Sequence, residues 1–117
     1  MKTNPPAPFE FIARAASLNT EFANRVIDTL CAAHNVPRRA VTSNRRTEAA
    51  FWTRAIAMYI IRQAAPISSQ ACVDIFKRHD HGSCLHAEKR IEERMSVDPA
   101  FKARLEEWTK FFLEPTA

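Results

Sequence analysis

The sequence predicts an all-α domain of about six helices with a helix-turn-helix at its centre. Three observations point there. The chain holds a single glycine, Gly82, among 117 residues, which leaves little material for the tight hairpins of a sheet. Apolar residues recur at helical spacing in one segment after another, and no stretch alternates at a strand's period of two. Prolines fall between those segments, at Pro37, Pro66 and Pro99, where helices stop or start.

The elements follow in order. Residues 1–7 are proline-rich and expected to form a flexible N-terminus. A first helix is expected over about 8–17, with Phe9, Ile12 and Ala16 on one side. A second starts after Asn19 and reaches about Asn35, because Phe22, Val26, Ile27, Leu30 and Cys31 form an amphipathic stripe. Pro37 ends it, and 38–47 reads as a basic, polar loop. A third helix is expected over about 48–65. Its middle, Ala55 to Ile61, is apolar nearly all round, the mark of a buried central helix. After Pro66, Ser68 is a good N-cap for a short helix over 69–76, with Cys72, Val73 and Phe76 toward the core.

A charged turn, Lys77-Arg78-His79, leads to a longer helix that begins near Asp80 or His81 and runs to about Met95. One face of it carries Cys84, Ala87, Glu88, Ile91 and Met95. The other carries His81, Ser83, His86, Lys89 and Arg90. Asp98-Pro99 is a strong helix start, an N-cap aspartate followed by proline at the first helical position. Phe101, Leu105, Trp108 and Phe112 then share one face, and Trp52, Tyr59 and Trp108 fall in core phase. The domain organisation expected is one helical domain over 8–117, with 43–95 as the helix-turn-helix core.

Composition excludes several functions. Phosphate-cradling loops need at least two glycines, so neither common nucleotide-binding loop fits this chain, and no nucleotide is expected. Charged residues make up 26% of the sequence, and the longest uncharged apolar stretch is the seven residues from Ala55 to Ile61. A membrane-spanning helix needs about 20. The first residues also lack the apolar run of a secretory signal, so a cytoplasmic protein is expected. Cys31, Cys72 and Cys84 are odd in number and widely spaced, which suits small buried residues rather than a disulfide framework. His79, Asp80, His81, Cys84 and His86 are metal-ligand types, but only His81 and Cys84 share a helical face and no second pair follows at zinc-site spacing. No metal, cofactor or catalytic residue is expected, and the chain does not read as an enzyme.

Charge points elsewhere. From Arg38 to Arg90 there are ten Lys and Arg against four Asp and Glu, whereas the rest of the chain has seven against nine. A positive block within a near-neutral protein suggests a surface that meets a polyanion. A short helix, a turn and a longer helix with a polar outer face is also the helix-turn-helix plan, in which the second helix fits the major groove.

Two motifs in this block carry a resemblance. The stretch Thr53-Arg54-Ala55-Ile56-Ala57-Met58-Tyr59-Ile60-Ile61-Arg62 is similar to a family helix reading Ala-Arg-Gln-Ile-Ala-Met-Tyr-Leu. The stretch from Ile75 to Ala87 resembles the family signature Phe-Gly-Gly-Arg-Asp-His-Ser-Thr-Val-Leu-His-Ala, sharing Asp80-His81 and Leu85-His86-Ala87. From Ser43 to about Arg94 the chain thus resembles the C-terminal DNA-binding domain, domain IV, of the bacterial replication initiator DnaA, a Trp-repressor-like fold.

The resemblance implies roles. Arg54 matches an arginine that enters the minor groove, where a narrow A·T-rich tract attracts a guanidinium. Asp80 matches an aspartate that accepts from a base amino group, as a carboxylate can from cytosine N4. His81 matches a histidine packed on a base edge. Gly82 takes the place of a base-reading Ser or Thr, and Ser83 that of a threonine on the DNA. Arg45, Arg46 and Lys89 are implied phosphate contacts, as are Ser68 and Ser69 at a helix N-terminus, and Lys77 and Arg78 are expected at phosphates for the positive charge they add. The sequence departs from the family where Lys77 and Arg78 replace two glycines, His79 replaces an arginine, and Gly82 removes a side chain.

The implied partner is double-stranded DNA carrying origin-type or promoter boxes. The implied place is the nucleoid, in control of replication initiation or transcription. The alternative is a protein-interaction adaptor that binds a replication regulator, with little specific DNA binding.

Overall fold

The computed structural model describes residues 8–42, 47–64, 69–76 and 82–113, and only the backbone for 8–19, 69, 70 and 82. Those residues form six helices: α1 (Pro8–His34), α2 (Arg38–Val41), α3 (Glu48–Ala64), α4 (Ser69–Ile75), α5 (Gly82–Val97) and α6 (Pro99–Leu113). No strand occurs among them.

The all-α reading holds, with two corrections. The two helices expected before Asn35 are one helix of 27 residues. The second was expected to start after Asn19, yet Ser17, Asn19 and Thr20 each cost a helix interior only about 0.5 kcal/mol. No glycine or proline lies between Pro8 and Pro37 to force a break. The second correction is α2, a helical turn within the expected loop. Pro37 precedes it in extended conformation, and its Ala40 and Val41 are buried in the core. Burial of that pair overrides the polar look of the segment.

The end of α1 is set by backbone chemistry. Asn35 adopts a left-handed φ of 55°, which asparagine tolerates better than most residues. The Val36 amide then donates to the Cys31 carbonyl at 2.9 Å, and the Asn35 amide to Ala32 at 3.3 Å. This is a Schellman cap, with Val36 as its apolar closing residue.

Helix α3 is the centre of the molecule and touches every other helix. Ala50, Thr53, Arg54, Ala55, Ile56, Ala57, Met58, Ile60 and Ile61 are all buried on it. Against it pack Ala23, Val26, Ile27, Leu30 and Cys31 of α1, Cys72 and Val73 of α4 and Phe76 just beyond it, and Cys84, Ala87 and Ile91 of α5. All three cysteines are buried and free.

Helix α6 closes the bundle as its sequence predicts. The Phe101 amide donates to Asp98 Oδ1 at 3.1 Å, the N-cap bond that serves an otherwise unpaired amide. Phe101, Leu105 and Phe112 are buried, and Trp108 is half-buried against them. At the other end, Arg25 Nη2 donates to the Phe112 carbonyl at 2.8 Å, while its guanidinium lies over the Phe22 and Phe112 rings.

Candidate nucleic-acid interface

Helices α4 and α5 pack against each other and both rest on α3. On α5, Cys84 and Ile91 are fully buried and Ala87 nearly so, while His86, Lys89 and Arg90 are exposed and Ser83 is half-buried. One face is therefore spent on the core, and the opposite face carries the basic Lys89 and Arg90 in the first half of the helix, beside the exposed Leu85. Gly82 opens the helix, so Ser83 stands in its first turn. There, free backbone amides favour an anion.

The inner edge of α5 is fixed by a polar bridge to α3. Arg62 Nη1 lies 3.3 Å from Glu88 Oε1 and 3.9 Å from Cys84 Sγ. Cys72 of α4 shares a hydrogen bond with Cys84, which pulls the Cys84 thiol down to about 7, with Arg62 adding to the effect. The same bond, together with burial, pushes the Cys72 thiol up. The cysteines thus join the two helices of the motif beneath its surface.

Aromatic packing holds the outer face. The Arg94 guanidinium lies 4.5 Å from the Trp52 ring and 4.3 Å from the Phe101 ring, and it also reaches Asp98 at 3.6 Å. Arg90 extends over Trp52 at 5.9 Å. His86 meets the Phe51 ring edgewise at 6.4 Å. Trp52 is committed to packing, in keeping with its helical phase.

Of the residues expected at DNA, Ser83 and Lys89 are brought together on the outer part of α5. Ser69 opens α4 by its backbone. Arg45, Arg46, Ser68, Lys77, Arg78, Asp80 and His81 lie outside the described residues. Arg54 has a geometry that differs from the expected one. It is 6% exposed; its Nε donates to the Val41 carbonyl at 2.8 Å and its Nη2 to Ala40 at 3.1 Å. Its phase on α3 explains this, since it shares a face with Ala50, Ala57, Met58 and Ile61, all fully buried. Arg54 is buried and hydrogen-bonded within the fold.

Two basic residues escaped the sequence reading of the site. Arg90 is exposed beside Lys89, and Arg39 is exposed on α2. The signal for Arg90 was present in its spacing, because it follows Ser83 by seven residues and His86 by four. Arg39 gave none while its segment read as a loop. Its neighbour Arg38 is held by Asp28 and Asn24 of α1.

A short helix and a longer one, packed on each other and on α3, the longer with a buried inner face and an outer face that carries Lys89 and Arg90, fit the helix-turn-helix plan. The family described as bacterial DnaA protein helix-turn-helix matches residues 23–91, and the chain belongs to that family. This is a family of binding domains, not of catalysts. The chain is 36% identical over 70 residues to the chromosomal replication initiator protein DnaA of Methylacidiphilum infernorum, a match covering 60% of this chain and 15% of that protein. It is 37% identical over 73 residues to DnaA of Rhizobium meliloti, covering 62% and 15%. A crystal structure of a DNA replication initiation factor superposes with a TM-score of 0.81 at 24% identity, over 90% of this chain and 32% of that one. The chain thus spans a small fraction of the length of the relatives it matches.

Proposed function

We propose that this chain binds double-stranded DNA with α5 in the major groove, and that it acts in the control of replication initiation or transcription at origin-type or promoter boxes. One observation carries the reading. The outward face of α5 is basic and exposed at Lys89 and Arg90, while the inward face is seated on α3 through Cys84, Ala87 and Ile91. A helix so held offers its N-terminal residues to base edges and its flank to phosphates. Asp80, His81, Gly82 and Ser83 are the proposed base-reading set. Arg45, Arg46, Ser68, Ser69, Lys77, Arg78 and Lys89 are the proposed phosphate set, joined by Arg90. No described helix is long and apolar enough to cross a membrane, and a nucleoid location follows from the proposed DNA binding.

The test is fluorescence anisotropy of labelled short duplexes, with and without an initiator-type box, across a salt series. Each phosphate contact contributes about −0.9 to the slope of log affinity against log salt. Salt-dependent binding that falls in Asp80→Ala supports the reading. A preference for the box shows that base readout survives Gly82. Absence of binding at low salt by a folded sample contradicts it and leaves the adaptor role.

A further inference from the structure

We infer that the groove between α5 and α6 is a docking site for a basic amphipathic helix of a protein partner, which inserts apolar side chains and sets Lys or Arg on the rim. Duplex binding is not needed for it. Tyr59 of α3 lines the groove together with Met95 of α5 and Leu105 and Leu113 of α6. Tyr59 and Met95 are half-buried, and Leu113 is 52% exposed. The groove holds about 350 Å³, within the range of about 300–1,000 Å³ that binding pockets occupy. Phe111, near the end of α6, adds a second large exposed apolar side chain.

Charge names the occupant. Burial pushes the Tyr59 hydroxyl above its ordinary 10, and the carboxylates of Glu92, Glu88 and Glu106 push it further. Glu88, Glu92 and Met95 follow one another at four and three residues, so they run down one face of α5. Glu88 is held by Arg62, whereas Glu92 and Glu106 are exposed. Lys110, one turn past Glu106, is also in the lining. The surroundings of Tyr59 are thus acidic in a chain whose net charge is +4. Carboxylates repel phosphate, so a duplex does not suit this groove. A helix with apolar anchors and flanking Lys or Arg matches both the lining and the rim. Arg90 lies two residues after Glu88 and two before Glu92, which puts it on the opposite side of α5.

The test titrates the methyl-labelled chain with a synthetic helical peptide of about 15 residues built from leucine and lysine. Its leucines recur at i, i+3, i+4 and i+7, and a matched leucine–glutamate peptide is the comparison. The expected result with the lysine peptide is saturable shifts at the Met95, Leu105 and Leu113 methyls, with none from the glutamate peptide. Glu92→Gln/Glu106→Gln is expected to weaken binding about tenfold at low salt, as the loss of two exposed charge pairs allows. Both positions are exposed, and thermal melts confirm that the variant folds. Glu21→Gln, at an exposed position on α1, is expected to bind the peptide like wild type.

A folded chain that gives no saturable shifts with the lysine peptide overturns the inference. So do equal affinities for the two peptides, shifts centred away from the groove, or unchanged binding by Glu92→Gln/Glu106→Gln. Methyl shifts at Leu113 that grow with chain concentration alone, with a dimer in sedimentation, also overturn it and make the groove a contact between copies of this chain. None of these outcomes bears on the duplex assay, whose failure in turn leaves the groove's role standing.

Discussion

Helices α3 and α5 are neighbours of nearly equal length, and they use their residues in opposite ways. Helix α3 turns nine of its side chains into the core, including the polar Thr53 and the charged Arg54. Helix α5 buries Cys84, Ala87 and Ile91 and leaves Lys89 and Arg90 in solvent. The difference separates holding from reading. A helix packed against five others buries most of its middle, and its Arg54 is buried with it. A helix anchored along one stripe can present the other to a partner without losing its seat.

The sharpest way to test that division is to damage α3. Ile60→Ala removes a fully buried side chain and is expected to lower unfolding free energy by about 2–5 kcal/mol, through lost burial and the cavity left behind. Denaturant melts measure this. Whatever fraction stays folded should bind duplex DNA with an unchanged salt slope.

The converse change is Lys89→Ala on α5. Its side chain is exposed, so stability should move by less than about 0.5 kcal/mol. DNA affinity should fall several-fold whatever the duplex sequence, and the salt slope should lose about 0.9. A large fall in melting temperature without a change in slope would erase the distinction between the two helices.

A smaller effect tests how α6 is started beside the end of α5. Asp98→Ala removes the cap on the Phe101 amide and an ion pair with Arg94. The expected loss is about 1 kcal/mol, mostly from the cap, since exposed ion pairs contribute little. Asp98→Asn, which keeps a capping oxygen, should recover most of it in a thermal melt.

The smallest expected effect concerns the seam between α1 and α3. His34 Nδ1 lies 3.0 Å from Thr53 Oγ1, and the ring meets Trp108 edgewise. Burial, with Arg104 nearby, lowers its pKa from the ordinary 6.5. The unfolded chain then holds more protons than the folded one between the lowered value and 6.5. Stability contributed at His34 is complete above pH 6.5 and declines as pH falls through that window. Melting temperatures from pH 7.5 to 5.5 should show the decline, and His34→Gln should flatten it.

Much of this architecture was legible in the sequence because periodicity and punctuation agreed. The apolar run from Ala55 to Ile61 announced a central helix, and Asp98-Pro99 announced the start of α6. The long α1 was harder, because Ser17, Asn19 and Thr20 carry cap-like chemistry that a helix interior tolerates at small cost. Helix α2 was hidden because only the burial of Ala40 and Val41 makes that turn worthwhile. The candidate site was partly legible. Ser83, Lys89 and Arg90 could be placed on one face from spacing alone. The burial of Arg54 was not part of its resemblance, since a motif fixes residue identity and leaves open how the side chain is held. Its helical phase was the guide to that, because it shares a face with Ala50, Ala57, Met58 and Ile61.

The central claim is that the outer face of α5 is where this chain meets double-stranded DNA. The most direct measurement is amide chemical-shift mapping of the isotope-labelled chain during titration with a short duplex at low salt. The account predicts saturable shifts concentrated from Gly82 to Arg90, with the buried middle of α3 nearly still. Shifts clustered instead at the exposed Phe111 and Leu113 of α6, or no shifts from a folded sample, would contradict it.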